Sequence, residues 1–236
     1  MPKQCWKRMA GRYGMNPNEM RSAAELKDRL LLADIGNTHF HIYNGYEVEH
    51  LSYEEAIRQY RNEALCYISV KQHLDSTIEN IASWKNISQQ IHLAGAYETM
   101  GVDRRALCLS HENGLFVDAG SAITVDMMED GKYRGGFILP GLKAMLDAYR
   151  SISPVLDTEL NKTISLAQLP VTTKDGISYG IIASIKALID KHSDGKKLYF
   201  TGGDGKFLSS FFEEATYDEM LVFNGMRKVI KESEIC

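Results

Sequence analysis

A strand that ends in an acid and turns through glycine occurs twice in this 236-residue chain, and the repetition constrains the fold more than any other feature. The first copy, LLLADIGNTHF at residues 30–40, is an apolar run that meets Asp34 and turns at once through Gly36-Asn37-Thr38. Alone it needs only turn chemistry to explain it, because Asp, Gly and Asn are the residues turns are made of. The second copy, GLFVDAGSAITVDMMEDGKYRGGFIL at residues 114–139, lays Asp118 on Asp34, Gly120 on Gly36 and Ser121 on Asn37. Each acid is followed, 11 or 13 residues later, by a hairpin glycine, Gly45 after Asn44 and Gly131 after Asp130. Asn-Gly and Asp-Gly between alternating apolar runs are strong hairpin signals. The same three-strand meander, present twice, predicts an α/β chain of two duplicated lobes, 30–112 and 113–236, that meet at a cleft.

The rest of the pattern fits around the meanders. Ser52 with Glu55 three residues on has the spacing of a capping box and predicts a helix. ALCYISV reads as a strand, a helical period follows from about 73 to 84, and ISQQIHL reads as another strand. Gly101-Val102-Asp103-Arg104 opens a helix through about His111, Pro140-Gly141 leads into one through about Arg150, and a long helix spans about Thr173 to Lys191. KLYF is a strand, Thr201-Gly202-Gly203-Asp204-Gly205 leads into a helix, and MLVF reads as a last strand before Asn224-Gly225 and a closing helix. Residues 1–29 carry Pro, Gly, Asn and several Met and are expected to form a loosely ordered extension.

Composition excludes several classes of function. A net charge of −4 gives no electrostatic reason to expect nucleic acid or an anionic membrane as partner. No run approaches the roughly 18 apolar residues of a membrane span, and the basic N-terminal stretch lacks the apolar segment of a secretory signal. Cys5, Cys66, Cys108 and Cys236 are far apart with no C-x-x-C, which favours free thiols and a cytoplasmic location.

Two related lobes whose turns carry Asp-x-Gly can grip a chain of phosphates. Glycine lets main chain approach phosphate oxygens, and the turn N–H groups form an anion-binding concavity. The acids repel phosphate unless cations lie between, so two of them beside a polyphosphate imply bound metal.

Five segments, Asp34-Ile35-Gly36-Asn37-Thr38, Gly101-Val102-Asp103-Arg104, Asp118-Ala119-Gly120-Ser121-Ala122, Gly135-Gly136-Phe137-Ile138-Leu139-Pro140-Gly141 and Thr201-Gly202-Gly203, closely resemble the type III pantothenate kinases, in that family's order. The family belongs to the acetate kinase/sugar kinase/actin superfamily, so the resemblance implies duplicated ribonuclease-H-like, actin-like ATPase lobes. It covers the chain from about Leu30 onward and implies ATP-dependent phosphorylation of pantothenate, the first step towards coenzyme A. Carried over by position, Asp34, Ile35, Gly36, Asn37, Thr38, His39, Phe40 and His41 form the first phosphate segment, with Asp34 near magnesium. Ser121 stands in the second phosphate segment, and Gly202 and Gly203 lie against the nucleoside. Asp103 becomes the proton acceptor. Tyr97, Gly101, Val102, Asp103, Arg104 and Thr173 contact the substrate, and Asp118 binds a monovalent cation, potassium or ammonium. The resemblance further implies a homodimer, with substrate near the subunit interface.

Plainer readings compete at each position. Asp103 could simply cap the helix it opens. His39 and His41 alternate along a strand, and with no third ligand nearby in sequence a surface or packing role is favoured over metal binding. The apolar stripe Leu142, Met145, Leu146, Tyr149 could be a dimer face, although such stripes are more often core. For the whole chain the rivals are a non-catalytic accessory or regulatory protein of the same fold and a kinase for another small alcohol. A binding module has no need to keep Asp34, Asp103 and Asp118 together, which favours the enzyme.

Overall fold

The apolar run at Leu31 forms the middle strand of a five-stranded sheet. In a computed structural model, which describes residues 30–36, 39–71 and 76–233, this sheet holds β1 (Leu31–Ile35), β2 (Phe40–Tyr43), β3 (Val48–Leu51), β4 (Leu65–Ser69) and β5 (Trp84–Asn86). A second five-stranded sheet holds β6 (Gly114–Ala119), β7 (Ala122–Glu129), β8 (Lys132–Pro140), β9 (Leu198–Thr201) and β10 (Thr216–Tyr217). The orders are β3-β2-β1-β4-β5 and β8-β7-β6-β9-β10. In both sheets the first three strands are antiparallel neighbours and the last two run parallel to the first. Strand order and direction coincide throughout, so the duplication expected from the meanders is real. The architecture is two ribonuclease-H-like lobes.

Period-two alternation decides what each sheet faces. Leu31, Ala33 and Ile35 point outward and pack with Ala56 and Tyr60 of α1 (Tyr53–Tyr60) and Ile78 of α2 (Ser76–Glu79). Leu115, Val117 and Ala119 of the second sheet point away from the first and pack on Ile177, Ile181 and Ile185 of α5 (Thr173–Ser193), with Leu142 of α4 (Leu142–Ile152) and Leu208 of α6 (Gly205–Ser209). Leu32 and Phe116 point the other way, into a core shared by both sheets. That core is filled by α3 (Val102–Leu109) and α7 (Leu221–Ser233), through Val102, Ala106, Phe223, Met226 and their neighbours. The two helices cross closely. A Cβ added at Gly225 would run into the backbone carbonyl of Ala106. Because Asp34 is two residues from Leu32 and Asp118 two from Phe116, both acids lie on the faces the sheets turn towards each other.

Ser52 and Glu55 make the expected reciprocal capping box at α1. Three sequence expectations give way. Only Ser76–Glu79 is helical within the predicted 73–84 segment, its first residues lying partly outside the described ones. The next strand is Trp84–Asn86, and ISQQIHL contains a 3-10 turn at Ser88–Gln90 instead of a strand. MLVF belongs to α7, which runs on through Asn224 and Gly225. The α4 stripe is core, since Leu142 is buried and Met145, Leu146 and Tyr149 pack against the α5 cluster. Cys108 is a buried free thiol, whereas Cys66 is disulfide-bonded, so the expectation of free thiols fails there. The extension 1–29 lies outside the described residues. Among the described residues, no helix is long and apolar enough to cross a membrane.

Candidate active site

The two acid turns are built alike. Gly36 N–H donates to the His39 carbonyl at 3.1 Å, and Gly120 N–H donates to the Ala122 carbonyl at 2.9 Å, so each strand reverses through a short hydrogen-bonded loop just past its acid. Asn37 and Thr38 lie outside the described residues; Ile35 and Phe40 are fully buried on the outer face of β1 and β2 and anchor the turn from below. Ser121 is exposed at the second turn. Gly202, with φ of 83°, leads out of β9 directly over Asp118, and a Cβ there would lie 2.5 Å from Asp118 Oδ1. Only glycine suits both that backbone conformation and that approach. Gly203 is exposed beside it.

Asp103 enters from α3. Gly101 is the N-cap residue and supplies no side chain, while Asp103 Oδ1 accepts the N–H of Arg104 at 2.7 Å. Asp103 is thus the second residue of α3, not its N-cap; it caps only one first-turn N–H from within the helix, and that bond coexists with a carboxylate held at the sheet–sheet junction. A Cβ on Gly101 would collide with Asp103 Oδ1, so the glycine makes room for this rotamer.

Three acids far apart in sequence share one field. The pKa of Asp34 stands well above the usual carboxylate range because of burial, then because of the charges of Asp103 and Asp118. Asp118 is pushed up to about 7 by burial, then by Asp103 and Asp126. Asp103 is raised chiefly by burial, against the opposing pull of the Arg104 N–H and guanidinium. Asp34 Oδ1 is buried without a hydrogen-bond partner among the described residues. An orphaned carboxylate oxygen beside two further acids fits a cation brought by a ligand. Among the described residues no three His, Cys, Asp or Glu side chains form a ready metal cage.

Arg104 does not offer its fork outward. It is buried, and its Nε and Nη2 donate to Asp126 Oδ2 and Oδ1 at 2.9 and 2.5 Å. Its other edge, Nη1, donates to the Tyr97 hydroxyl at 2.6 Å. Arg104, expected to contact the substrate, instead has its guanidinium paired with Asp126 on one side and Tyr97 on the other. Tyr97 is thus brought to the Gly-Val-Asp-Arg turn, 46% exposed, while Val102 is buried in the shared core. Thr173 is exposed at the first position of α5, whose N-cap is Thr172. Asp126 and Tyr133 were not anticipated. The available signal was an acid inside the apolar strand ITVDMM, where a buried charge requires a partner.

His41 faces Asp34 across β1–β2 and His50 across β2–β3, and its Nδ1 lies 2.6 Å from Nδ1 of His50. One hydrogen can be shared between two neutral rings; two imidazolium ions cannot occupy that spacing. Burial, then His50 and His39, lowers the His41 pKa to about 4. Unfolded histidine titrates near ~6.5, so between about pH 6.5 and 4 the unfolded chain binds more protons. The contribution of His41 to stability is present above that window and is lost as pH falls through it. Urea midpoints measured at about pH 7 and pH 4 should fall further for the parent than for His41→Gln. Equal falls would remove His41 as the source.

The comparisons with known proteins agree with this geometry. The family model for type III pantothenate kinases matches residues 69–194, more than half of the chain. A type III pantothenate kinase of Helicobacter hepaticus is 43% identical over 206 residues, covering 86% of this chain and 99% of its own. One from Campylobacter jejuni strain RM1221 is 40% identical over 204 residues, covering 86% and 98%. The crystal structure of a Campylobacter jejuni protein assigned to the Baf family of transcriptional activators is 39% identical, has a TM-score of 0.80, and covers 88% of this chain and 100% of that one. A Sinorhizobium meliloti protein assigned as a 2-dehydro-3-deoxygalactonokinase, 9% identical with a TM-score of 0.54 over 88% of this chain and 98% of that one, shares the fold alone. With its core segment matched and relatives at 40% identity or more aligned across nearly their whole length, the chain belongs to the type III pantothenate kinase family.

Proposed function

We propose that the chain transfers the terminal phosphoryl group of ATP to the hydroxyl of pantothenate, giving 4'-phosphopantothenate. The observation that carries this reading is the convergence of Asp34, Asp103 and Asp118 on one field between the sheets. Phosphoryl transfer asks a protein for alignment and charge neutralisation more than for covalent chemistry. Asp103 orients the acceptor hydroxyl and takes its proton as the oxygen–phosphorus bond forms; a carboxylate raised by burial is the better acceptor. By position, Asn37, Thr38 and Ser121 would meet the phosphates, and Gly202 and Gly203 leave room for the nucleoside. Asp34 would hold the magnesium that arrives with ATP, which offsets phosphate charge. Tyr97 and the 101–104 turn receive pantothenate.

Asp118 is the expected seat of potassium or ammonium. Its carboxyl, pushed up to about 7, ionises at neutral pH with help from a neighbouring cation. Rates should therefore rise on replacing sodium with potassium or ammonium, and equal rates in sodium alone would count against this assignment. A homodimer is supported by Ile152, Val155, Leu169 and Val171, apolar side chains 72–99% exposed just ahead of Thr173. Such an interface would bring a partner surface to that threonine, and light scattering should give twice the chain mass. A cytoplasmic location follows from the metabolic role.

The Baf assignment of the Campylobacter structure keeps a regulatory, non-catalytic reading in view. A coupled ADP-release assay with pantothenate, run beside a panel of sugars and other small alcohols, decides between them. Pantothenate-dependent ADP release is expected; none with pantothenate would overturn the proposal.

A further inference from the structure

We propose that Asp126 is the positioning residue of the acceptor end of this site, fixing Arg104 from the opposite sheet so that Tyr97 and Asp103 are aimed; the inference rests on pantothenate being the acceptor. Asp126 is completely buried on β7, in the second sheet, whereas Arg104 belongs to α3 in the first half of the chain. The two meet side-on through both carboxylate oxygens, the bidentate arrangement that fixes direction as well as distance. Around the carboxylate the second sheet is shaped to fit. The Tyr133 hydroxyl accepts from Arg104 Nη2 at 3.5 Å, on the same edge of the guanidinium that Asp126 Oδ1 holds. A Cβ on Gly136 would lie 2.5 Å from Asp126 Oδ1 and 2.9 Å from the Tyr133 hydroxyl.

Two consequences reach the acceptor. Nη1 is left as the outward edge of Arg104, and it donates to the Tyr97 hydroxyl. A hydroxyl that accepts from a guanidinium turns its own hydrogen elsewhere, and Tyr97, 46% exposed, can give it to an acceptor-substrate oxygen. Second, the donor that holds Asp103 Oδ1 at 2.7 Å is the backbone N–H of Arg104, so the residue that Asp126 anchors through its side chain is also the one that orients the proton acceptor. The carboxylate therefore acts on the substrate through Arg104, without touching it.

The test is a double-mutant cycle in steady-state kinetics: Asp126→Asn, Arg104→Met and the double variant, with KM for pantothenate, KM for ATP and kcat measured for each. Asp126→Asn is expected to raise KM for pantothenate about tenfold and leave KM for ATP within about twofold. The double variant should be no worse than Arg104→Met. Additive losses, or equal rises in both KM values, overturn the role. Because removal of a buried carboxylate can prevent folding, Tyr133→Phe provides the second arm: it deletes one hydroxyl, and a two- to threefold rise in KM for pantothenate alone is expected, roughly one weak hydrogen bond. No change in that KM overturns the proposal even if Asp126→Asn does not fold. A parent chain that fails to phosphorylate pantothenate overturns the reading of the site and this inference with it; a parent that turns over, with additive variants, overturns Asp126 alone.

Discussion

Asp103→Asn should lower kcat for pantothenate phosphorylation by about 10²–10⁴ while KM for ATP changes by less than about twofold. The asymmetry follows from what the substitution keeps. Asparagine has the shape of aspartate and an oxygen that can still accept the Arg104 N–H, so the first turn of α3 and the pairing of Arg104 with Asp126 survive. What disappears is the basicity needed late in the transfer. Loss of this charge also relieves Asp34 and Asp118, both of which Asp103 raises, and their readier ionisation offsets the attraction for ATP's cations that Asp103 itself no longer supplies. Steady-state rates in a coupled ADP-release assay check the expectation. A variant as fast as the parent would reduce Asp103 to the helix-capping role it also performs.

Gly225→Ala should destabilise the protein by about 1–3 kcal/mol, the usual cost of overpacking a tight core. Two effects oppose each other here. Alanine is the better helix former by up to about 1 kcal/mol, and Gly225 sits inside α7, where that gain applies in full. The obstacle is the Ala106 carbonyl, which is backbone of α3 and cannot rotate aside. The collision wins because relief requires moving one whole helix away from the other, loosening Phe223 and Met226 in the shared core. A fall in thermal midpoint of about 2–12 °C is expected, at about 2–4 °C per kcal/mol for a chain of this size. An unchanged or raised midpoint would show that the helix crossing is looser than it looks.

The duplicated meander was legible because its signals are local. Hairpin glycines at Gly45 and Gly131 and the apolar runs LLADI and GLFVDA, each broken by a single acid, mark strand and turn without reference to the rest of the chain. The failures were of another kind. MLVF, a four-residue apolar run, carries no periodicity that separates strand from buried helix, and its helical fate is set by packing against α3 and both sheets. Asp34, Asp103 and Asp118 could be proposed as a group from sequence, yet Asp126 and Tyr133 could not be joined to Arg104. Their meeting depends on how the second sheet sits across α3, and no local pattern encodes that.

The position of α7 also bears on how the protein is made. Leu32, Tyr43 and Cys66 share their interior with Phe223, Met226 and Val229, so β1, β2 and β4 have one flank bare until α7, far later in the chain, is synthesised. Completion of this half of the core therefore waits for α7, and a nascent chain arrested before Leu221 should display a protease-sensitive, dye-binding surface that vanishes once α7 docks.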